Sequence, residues 1–351
     1  MISVKVVGAT GYGGVGITEL LLQHPHVSIA ALVARDDVGK KISDVYPHLR
    51  GFCELPILAA DDPDALHPVD VVFFATPDGV AMTQAESELN KGAKVIDYSG
   101  DFRFTSAERY ADYAARLNKN PVHQSPHLLG KNVYGLPELH APAIEKARLV
   151  GNPGCFAASC ILGLAPAAKA NIMRENSVIC DCKSGVSGAG KKIAQTFHFP
   201  ERTDHINAYR LSGHQHTCEI EQQLSALAGS NITVTFTAHV LPICRGILST
   251  LYATLPAPMT EADLLALYTD FYKNAPFIRI MPSTSATGTL HVRGSNFCNL
   301  TVSVDPRAQR MRIVSHIDNL MKGQASNALQ NMNLMCGFPE TTALHRPGNY
   351  P

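Results

Sequence analysis

Apolar positions in the first hundred residues fall into short runs separated by glycine, proline and polar turns. Residues 2–7, Ile-Ser-Val-Lys-Val-Val, alternate and are rich in valine, which suits a buried strand. Gly8-Ala9-Thr10-Gly11-Tyr12-Gly13-Gly14 follows, residues 15–23 carry a helical period, and 27–34 read as a second strand. Strand, glycine turn, helix and strand make a βαβ unit. Residues 69–75, Val-Asp-Val-Val-Phe-Phe-Ala, form a third apolar run, ended by Thr76-Pro77-Asp78-Gly79; 81–90 look helical and 94–97 strand-like. Strands alternating with helices predict an α/β fold over residues 1–150, a Rossmann-type doubly wound parallel sheet.

The pattern changes after residue 150. Residues 177–183, 231–241, 246–255, 289–293 and 299–304 show β-branched alternation, with a helical stretch at 261–273. This predicts a mainly antiparallel α+β domain over 151–317. Residues 318–335 read as one long amphipathic helix within a third segment, 318–351, expected to return to the first domain.

Composition narrows the function classes. The chain has 351 residues, 45% hydrophobic and 17% charged, with 30 basic and 30 acidic side chains. A net charge of zero gives no footprint for nucleic acid or an anionic membrane, and it permits self-association. The nine cysteines are scattered, with no CxxC pair and no zinc-finger spacing; Cys180 and Cys182 stand as C-x-C in a strand-like run. Reduced thiols, no metal and a cytoplasmic location are expected. The N-terminus enters a strand at once, and no run of about 18 apolar residues marks a membrane span.

Three features carry chemistry. Gly8, Gly11 and Gly14 sit at a strand-to-helix turn, where glycine lets backbone N–H groups approach a pyrophosphate. After the second strand comes Ala34-Arg35-Asp36-Asp37; Arg35 suits a 2′-phosphate, whereas the acids suit ribose hydroxyls. Gly151-Asn152-Pro153-Gly154-Cys155 then opens an alanine-rich helical run. A thiol at a helix N-terminus meets unpaired N–H groups and the macrodipole, which lower its pKa from about 8.5 toward neutrality. The segment alone does not separate a nucleophile from a small buried thiol. Gly213-His214-Gln215-His216 supplies imidazoles that titrate in the range an acyl intermediate needs; two histidines at that spacing share a strand face or flank one turn. The Ser184–Lys191 loop, Gly-rich and polar, suits a phosphate or nicotinamide, or a mobile connector. Asp101-Phe102-Arg103 and Cys244-Arg245-Gly246 each offer an arginine, for an anion or a structural ion pair.

Together these motifs resemble the N-acetyl-gamma-glutamyl-phosphate reductase family of the aspartate-semialdehyde dehydrogenase superfamily, over nearly the whole chain. The resemblance also rests on Pro47-His48-Leu49-Arg50-Gly51, Tyr134-Gly135-Leu136-Pro137-Glu138-Leu139, Gly294-Ser295-Asn296 and Asp318-Asn319-Leu320-Met321-Lys322-Gly323. It implies Cys155 as nucleophile, with one of His214 and His216 the acid/base and the other touching substrate, His214 being slightly favoured. It implies NADP(H) held by Gly8, Thr10, Gly11, Tyr12, Gly13, Gly14 and Arg35, with Ser187, Gly188 and Asn319 toward the nicotinamide. It implies Arg103, Asn152, Arg245 and Glu219 for a small anionic acyl-phosphate substrate, and a homo-oligomer, dimer or tetramer. Cys218 stands where the family usually has proline, Phe156-Ala157-Ala158 departs from the usual step after the nucleophile, and Gln324-Ala325-Ser326-Asn327 replaces an Ala/Gly-rich stretch. None removes a catalytic group.

The expected reaction is NADPH-dependent reduction of N-acetyl-glutamyl 5-phosphate through a cysteine thioester. The homologous aminoadipyl-phosphate reduction differs by one methylene, a discrimination of only about 1–3 kcal/mol. An aspartate-semialdehyde dehydrogenase fits the His-x-His element less well. A catalytically idle NADP-binding sensor is the reading from a different class.

Overall fold

The computed structural model describes residues 1–350. The chain forms two compact units: residues 1–112, 120–154 and 324–346 make the first, and 113–119 with 155–323 and the terminal residues make the second.

The first unit is built on seven parallel strands: β1 (Ile2–Val7), β2 (Val27–Val33), β3 (Ile57–Leu58), β4 (Val71–Phe74), β5 (Lys94–Asp97), β6 (Val133–Tyr134) and β7 (Leu149–Gly151). Their order is β3-β2-β1-β4-β5-β7-β6, the doubly wound arrangement expected. All four residues of β4, Val-Val-Phe-Phe, are buried, because a parallel sheet is covered on both faces. Helices Tyr12–Leu21 and Ala81–Asn90 follow β1 and β4.

Helix Ser326–Met335 packs against Tyr12–Leu21 and Pro137–Ile144 in this unit. Gly13 and Gly16 permit that approach: a Cβ at Gly13 would lie 3.0 Å from the Gln324 amide, and one at Gly16 would lie 3.3 Å from Ala325 Cβ. The long amphipathic helix expected over 318–335 is replaced by a π-helical turn, Met321–Ala325, and then this α-helix. The Asp318 carboxylate accepts from Leu320 and Met321 N–H, fixing where the helical segment begins. Nor is the helix amphipathic, since Asn327, Gln330, Asn331 and Asn333 are fully buried. Their amides serve neighbouring segments instead: Asn327 Nδ2 donates to the Gly135 carbonyl at 2.7 Å and to Asn152 Oδ1 at 2.8 Å.

The second unit contains a mixed seven-stranded sheet of β8 (Val178–Gly185), β9 (Asn207–Tyr209), β10 (Val234–Leu241), β11 (Ile247–Thr254), β12 (Ile278–Pro282), β13 (Cys298–Asp305) and β14 (Arg310–Ile317), in the order β12-β13-β14-β11-β8-β10-β9. Four of its six pairings are antiparallel; β8–β10 and β12–β13 are parallel. Burial alternates along β8 and β11, as on a sheet covered on one face. Helices Cys155–Lys169, His216–Ala228 and Glu261–Phe271 pack on the covered face. There the Ser159 hydroxyl lies 2.9 Å from both Ser249 Oγ and Ser315 Oγ, a buried link from helix to two strands.

The strand expected over 289–293 is instead one 3-10 turn, Thr289–His291. Its neighbourhood is tied locally: Ser295 Oγ donates to the Val292 carbonyl and Gly294 N–H to Asp318 Oδ2. Among the described residues, no helix is long and apolar enough to cross a membrane, and no cluster of three His, Cys, Asp or Glu side chains offers a metal site.

Candidate active site

Cys155 is the first residue of helix Cys155–Lys169. The turn that delivers it is held from both sides. Asn152 N–H donates to the Asp97 carbonyl at 2.7 Å, and Arg103 Nε donates to the Asn152 carbonyl at 2.8 Å. Gly151 has no room for a side chain, since a Cβ there would lie 2.0 Å from the Phe102 carbonyl oxygen. Within the second unit, Gly323 brings its backbone against the thiol-bearing residue; a Cβ at Gly323 would lie 2.8 Å from Cys155 Cβ.

Cys155, His214 and His216 line one cavity of about 550 Å³ within the second unit. His216 begins helix His216–Ala228, and His214 lies in the preceding turn, so the pair flanks one turn rather than sharing a strand face. His214 Nδ1 accepts the His216 backbone N–H at 3.2 Å, capping the helix, and its Nε2 lies 3.4 Å from the Tyr209 hydroxyl. The His214 ring packs among Phe156, Phe236 and His216, with centroid distances of 5.8, 4.8 and 4.9 Å. Burial, then the neighbouring His216 and Arg210, push the His214 pKa down to about 2. With Nδ1 an acceptor and the ring neutral, the proton sits on Nε2. Burial and then the charge of Cys155 push the Tyr209 phenol upward, so it stays protonated.

Ser184 and Gly188 also line this cavity. The start of their loop is pinned to the next turn, since Val186 and Ser187 N–H donate to the Ile243 and Cys244 carbonyls. Asn319 Nδ2 donates to Ser187 Oγ at 2.9 Å, and its Oδ1 accepts from Gly246 N–H at 2.7 Å. Arg245 pairs at 3.1 Å with the fully buried Asp318, and Glu219 is fully buried on its helix; neither is among the residues lining the cavity. Tyr209, Arg202 and Arg210 do line it, and no motif in the sequence had marked them. The available signal was two arginines and a tyrosine between the glycine loop and the histidine pair.

In the first unit the glycine turn has the form a dinucleotide needs. Gly8 adopts φ +87° and presses on the Ala75 carbonyl, where a Cβ would lie 2.4 Å away. A Cβ at Gly14 would lie 2.1 Å from the Gly8 carbonyl oxygen. Gly11 caps helix Tyr12–Leu21 without any side-chain hydrogen bond. The Tyr46 hydroxyl donates to the Thr10 carbonyl at 2.8 Å and steadies the turn. These features fit a pyrophosphate on a helix N-terminus. Arg35 is exposed just beyond β2, while Asp37 pairs with Lys40 at 2.8 Å. Arg103 is buried, and its Nη2 donates to the Tyr98 carbonyl at 2.5 Å. Asn152 is nearly fully buried; its Nδ2 donates to the Gln324 carbonyl, and its Oδ1 accepts from Asn327 and Asn331.

Comparison with known proteins agrees with both units. Residues 3–147 match the family model described as semialdehyde dehydrogenase, NAD binding domain, so the chain carries a nicotinamide-dinucleotide domain. Residues 155–319 match the model described as semialdehyde dehydrogenase, dimerisation domain. An N-acetyl-gamma-glutamyl-phosphate reductase of Moorella thermoacetica is 44% identical over 351 residues, covering all of both chains. One from Pelotomaculum thermopropionicum is 42% identical over 350 residues, covering 100% of this chain and 99% of the relative. The crystal structure of aspartate semialdehyde dehydrogenase II complexed with ASA, from Vibrio cholerae, superposes with a TM-score of 0.71 at 17% identity, over 96% of this chain and 98% of that one. Full-length identity at this level shows that the chain belongs to the N-acetyl-gamma-glutamyl-phosphate reductase family.

Proposed function

We propose that the protein reduces N-acetyl-glutamyl 5-phosphate to N-acetyl-glutamate 5-semialdehyde with release of phosphate, a step of arginine biosynthesis. The observation that carries this reading is a cysteine at the first position of a helix, lining one cavity with two histidines. The Cys155 sulfur attacks the acyl carbon, and first-turn N–H groups of its helix favour the oxyanion. The C–O bond to phosphate breaks, the phosphate leaves with that electron pair and the thiol's proton, and a thioester remains. His214, the acid/base of the pair, presents its Nε2–H to the reacting oxygen, because Nδ1 is held by the His216 N–H; His216 contacts the substrate. A nicotinamide held by Ser187, Gly188 and Asn319 would supply the hydride that reduces the thioester. As the C–S bond breaks, its electrons return to Cys155, which regains a proton from solvent, and the aldehyde is freed.

The glycine turn, with Thr10 and Tyr12, holds the cofactor pyrophosphate, and Ser187, Gly188 and Asn319 serve the nicotinamide end. Exposed Arg35 favours NADP(H) over NAD. Arg103 and Asn152 serve the anionic substrate by fixing the turn that presents Cys155, while Arg245, paired with Asp318, and Glu219, buried on its helix, act on it from outside the cavity lining. The half-exposed sheet face bearing Ile179, Leu248, Thr250 and Tyr252 is the surface on which two copies associate, in keeping with the matched dimerisation model. The enzyme works in the cytoplasm, without nucleic-acid or membrane partners.

The test is phosphate-dependent reduction of NADP by N-acetyl-glutamate semialdehyde, run beside its one-carbon-longer homologue. The parent protein is expected to prefer the shorter aldehyde, and Cys155→Ser to lose at least about a thousandfold in rate, as for other groups that act as the covalent nucleophile. Full activity of Cys155→Ser would remove the mechanism.

A further inference from the structure

Among the described residues, no acidic side chain lines the cavity that holds Cys155, yet a buried cation does. Arg202 lines it and is only 5% exposed. Its Nη2 donates to Asn207 Oδ1 at 2.8 Å. Its Nε and Nη1 are buried and have no hydrogen-bond acceptor. No aspartate or glutamate is among the residues lining the cavity, whereas a second arginine, Arg210, is. Buried guanidinium donors are nearly always satisfied, and leaving them unsatisfied is costly. Arg210 is committed differently: it is exposed, its backbone is left-handed at φ +50°, and its Nη1 donates to Gln215 Oε1 at 2.5 Å. Arg202 is therefore the cation whose donors await an anion.

We propose that Arg202 binds the free carboxylate of the substrate's acyl chain, the group shared by acyl phosphate and aldehyde product, and so sets the enzyme's preference for carboxylated chains. This rests on the acyl-phosphate reductase reading above. Two anions enter with that substrate. The phosphate must depart in every turnover, and a deeply buried guanidinium would retain it. The carboxylate stays on the chain through both half-reactions, so a fixed, dehydrated partner suits it. Arginine is the side chain suited to such a partner, since its charge persists on burial.

The experiment uses the full-length enzyme in the aldehyde-oxidising direction with Arg202→Gln and Arg202→Lys. Two aldehydes are compared: N-acetyl-glutamate semialdehyde and 4-acetamidobutanal, which is the same chain without the carboxylate. Arg202→Gln is expected to lower kcat/KM for the carboxylated aldehyde about tenfold to hundredfold, the range for losing hydrogen bonds to a charged group. The 4-acetamidobutanal value and the KM for inorganic phosphate should stay within twofold, and Arg202→Lys should recover part of the loss. Thermal unfolding should not fall, because an unpartnered buried charge has been removed. Equal losses on both aldehydes would make Arg202 merely structural and overturn the proposal. A raised phosphate KM with an unchanged aldehyde preference would overturn it in favour of the phosphate. A second readout does not need turnover: protection of Cys155 from iodoacetamide by N-acetyl-glutamine, which keeps the carboxylate, should weaken at least tenfold in Arg202→Gln. Unchanged protection counts against the proposal. Failure of the parent protein to oxidise either aldehyde counts instead against the reductase reading.

Discussion

Gly323→Ala tests whether the position of Cys155 is set by the backbone packed against it. An added Cβ would lie 2.8 Å from Cys155 Cβ and 3.3 Å from both Cys155 Cα and the Asp318 carbonyl oxygen. Carbon atoms rest at about 3.5–4.0 Å, so Cys155 and residue 323 must part by roughly 1 Å. Gly323 is not in the left-handed region, so alanine brings no backbone strain, and helix propensity favours it by up to about 1 kcal/mol. Overpacking costs about 1–3 kcal/mol, which leaves a net loss of stability below about 2 kcal/mol. The effect on chemistry is larger. A misplacement of about 1 Å costs on the order of a hundredfold, or roughly 2.7 kcal/mol of barrier. Steady-state kcat/KM for semialdehyde oxidation should fall by about that factor, and the iodoacetamide reaction of Cys155 should slow with it. Gly288→Ala, where a Cβ would meet nothing within 4 Å, is the control and should behave as parent. An alanine at 323 that kept kcat/KM within threefold of parent, at equal melting temperature, would refute the reasoning, because the turn rather than Cys155 would then have yielded.

Two stability measurements follow. Asp97 is fully buried, and burial, then the nearby Asp101 carboxylate, raise its pKa to about 8; burial raises that of Asp101 to about 6. The folded state thus holds protons that the unfolded chain has released above its ordinary value near 3.8, so this contribution is greatest at the acid end and declines as pH rises toward 8. Urea midpoints at pH 5, 6.5 and 8 should show this decline, and Asp97→Asn should flatten it; parallel slopes in the two proteins would count against the assignment. Ser159→Ala should destabilise by about 1–3 kcal/mol in urea unfolding, since it strips a partner from buried Ser249 and Ser315; a loss below 0.5 kcal/mol, on the order of a surface change, would deny that link any weight.

The strands that could be read from the chain were those whose burial is two-sided or regularly alternating. β4 is a continuous apolar run, β1 is rich in valine, and burial alternates strictly along β11. β14 (Arg-Met-Arg-Ile-Val-Ser-His-Ile) went unmarked because arginines and a histidine share it with its core residues. The two-residue strands β3 and β6 are too short to carry any period. Helix Ser326–Met335 is hidden from a periodic reading because asparagine and glutamine count there as surface residues, whereas here their amides answer backbone carbonyls such as that of Gly135. At the site, Cys155 and the two histidines stood out by their chemistry. Arg202 did not, because an isolated arginine in sequence gives no sign that burial has left it without a counter-charge.

The first unit is assembled from residues 1–112 and 120–154 and from 324–346, which are made last. When Asn152 leaves the ribosome, the Asn327 and Asn331 amides that its Oδ1 accepts from do not yet exist. Another 175 residues must be translated before Asn327 exists, roughly ten to thirty seconds at ordinary elongation rates. The nascent nucleotide-binding unit therefore waits without its last helix while residues 155–323 of the second unit are being synthesised.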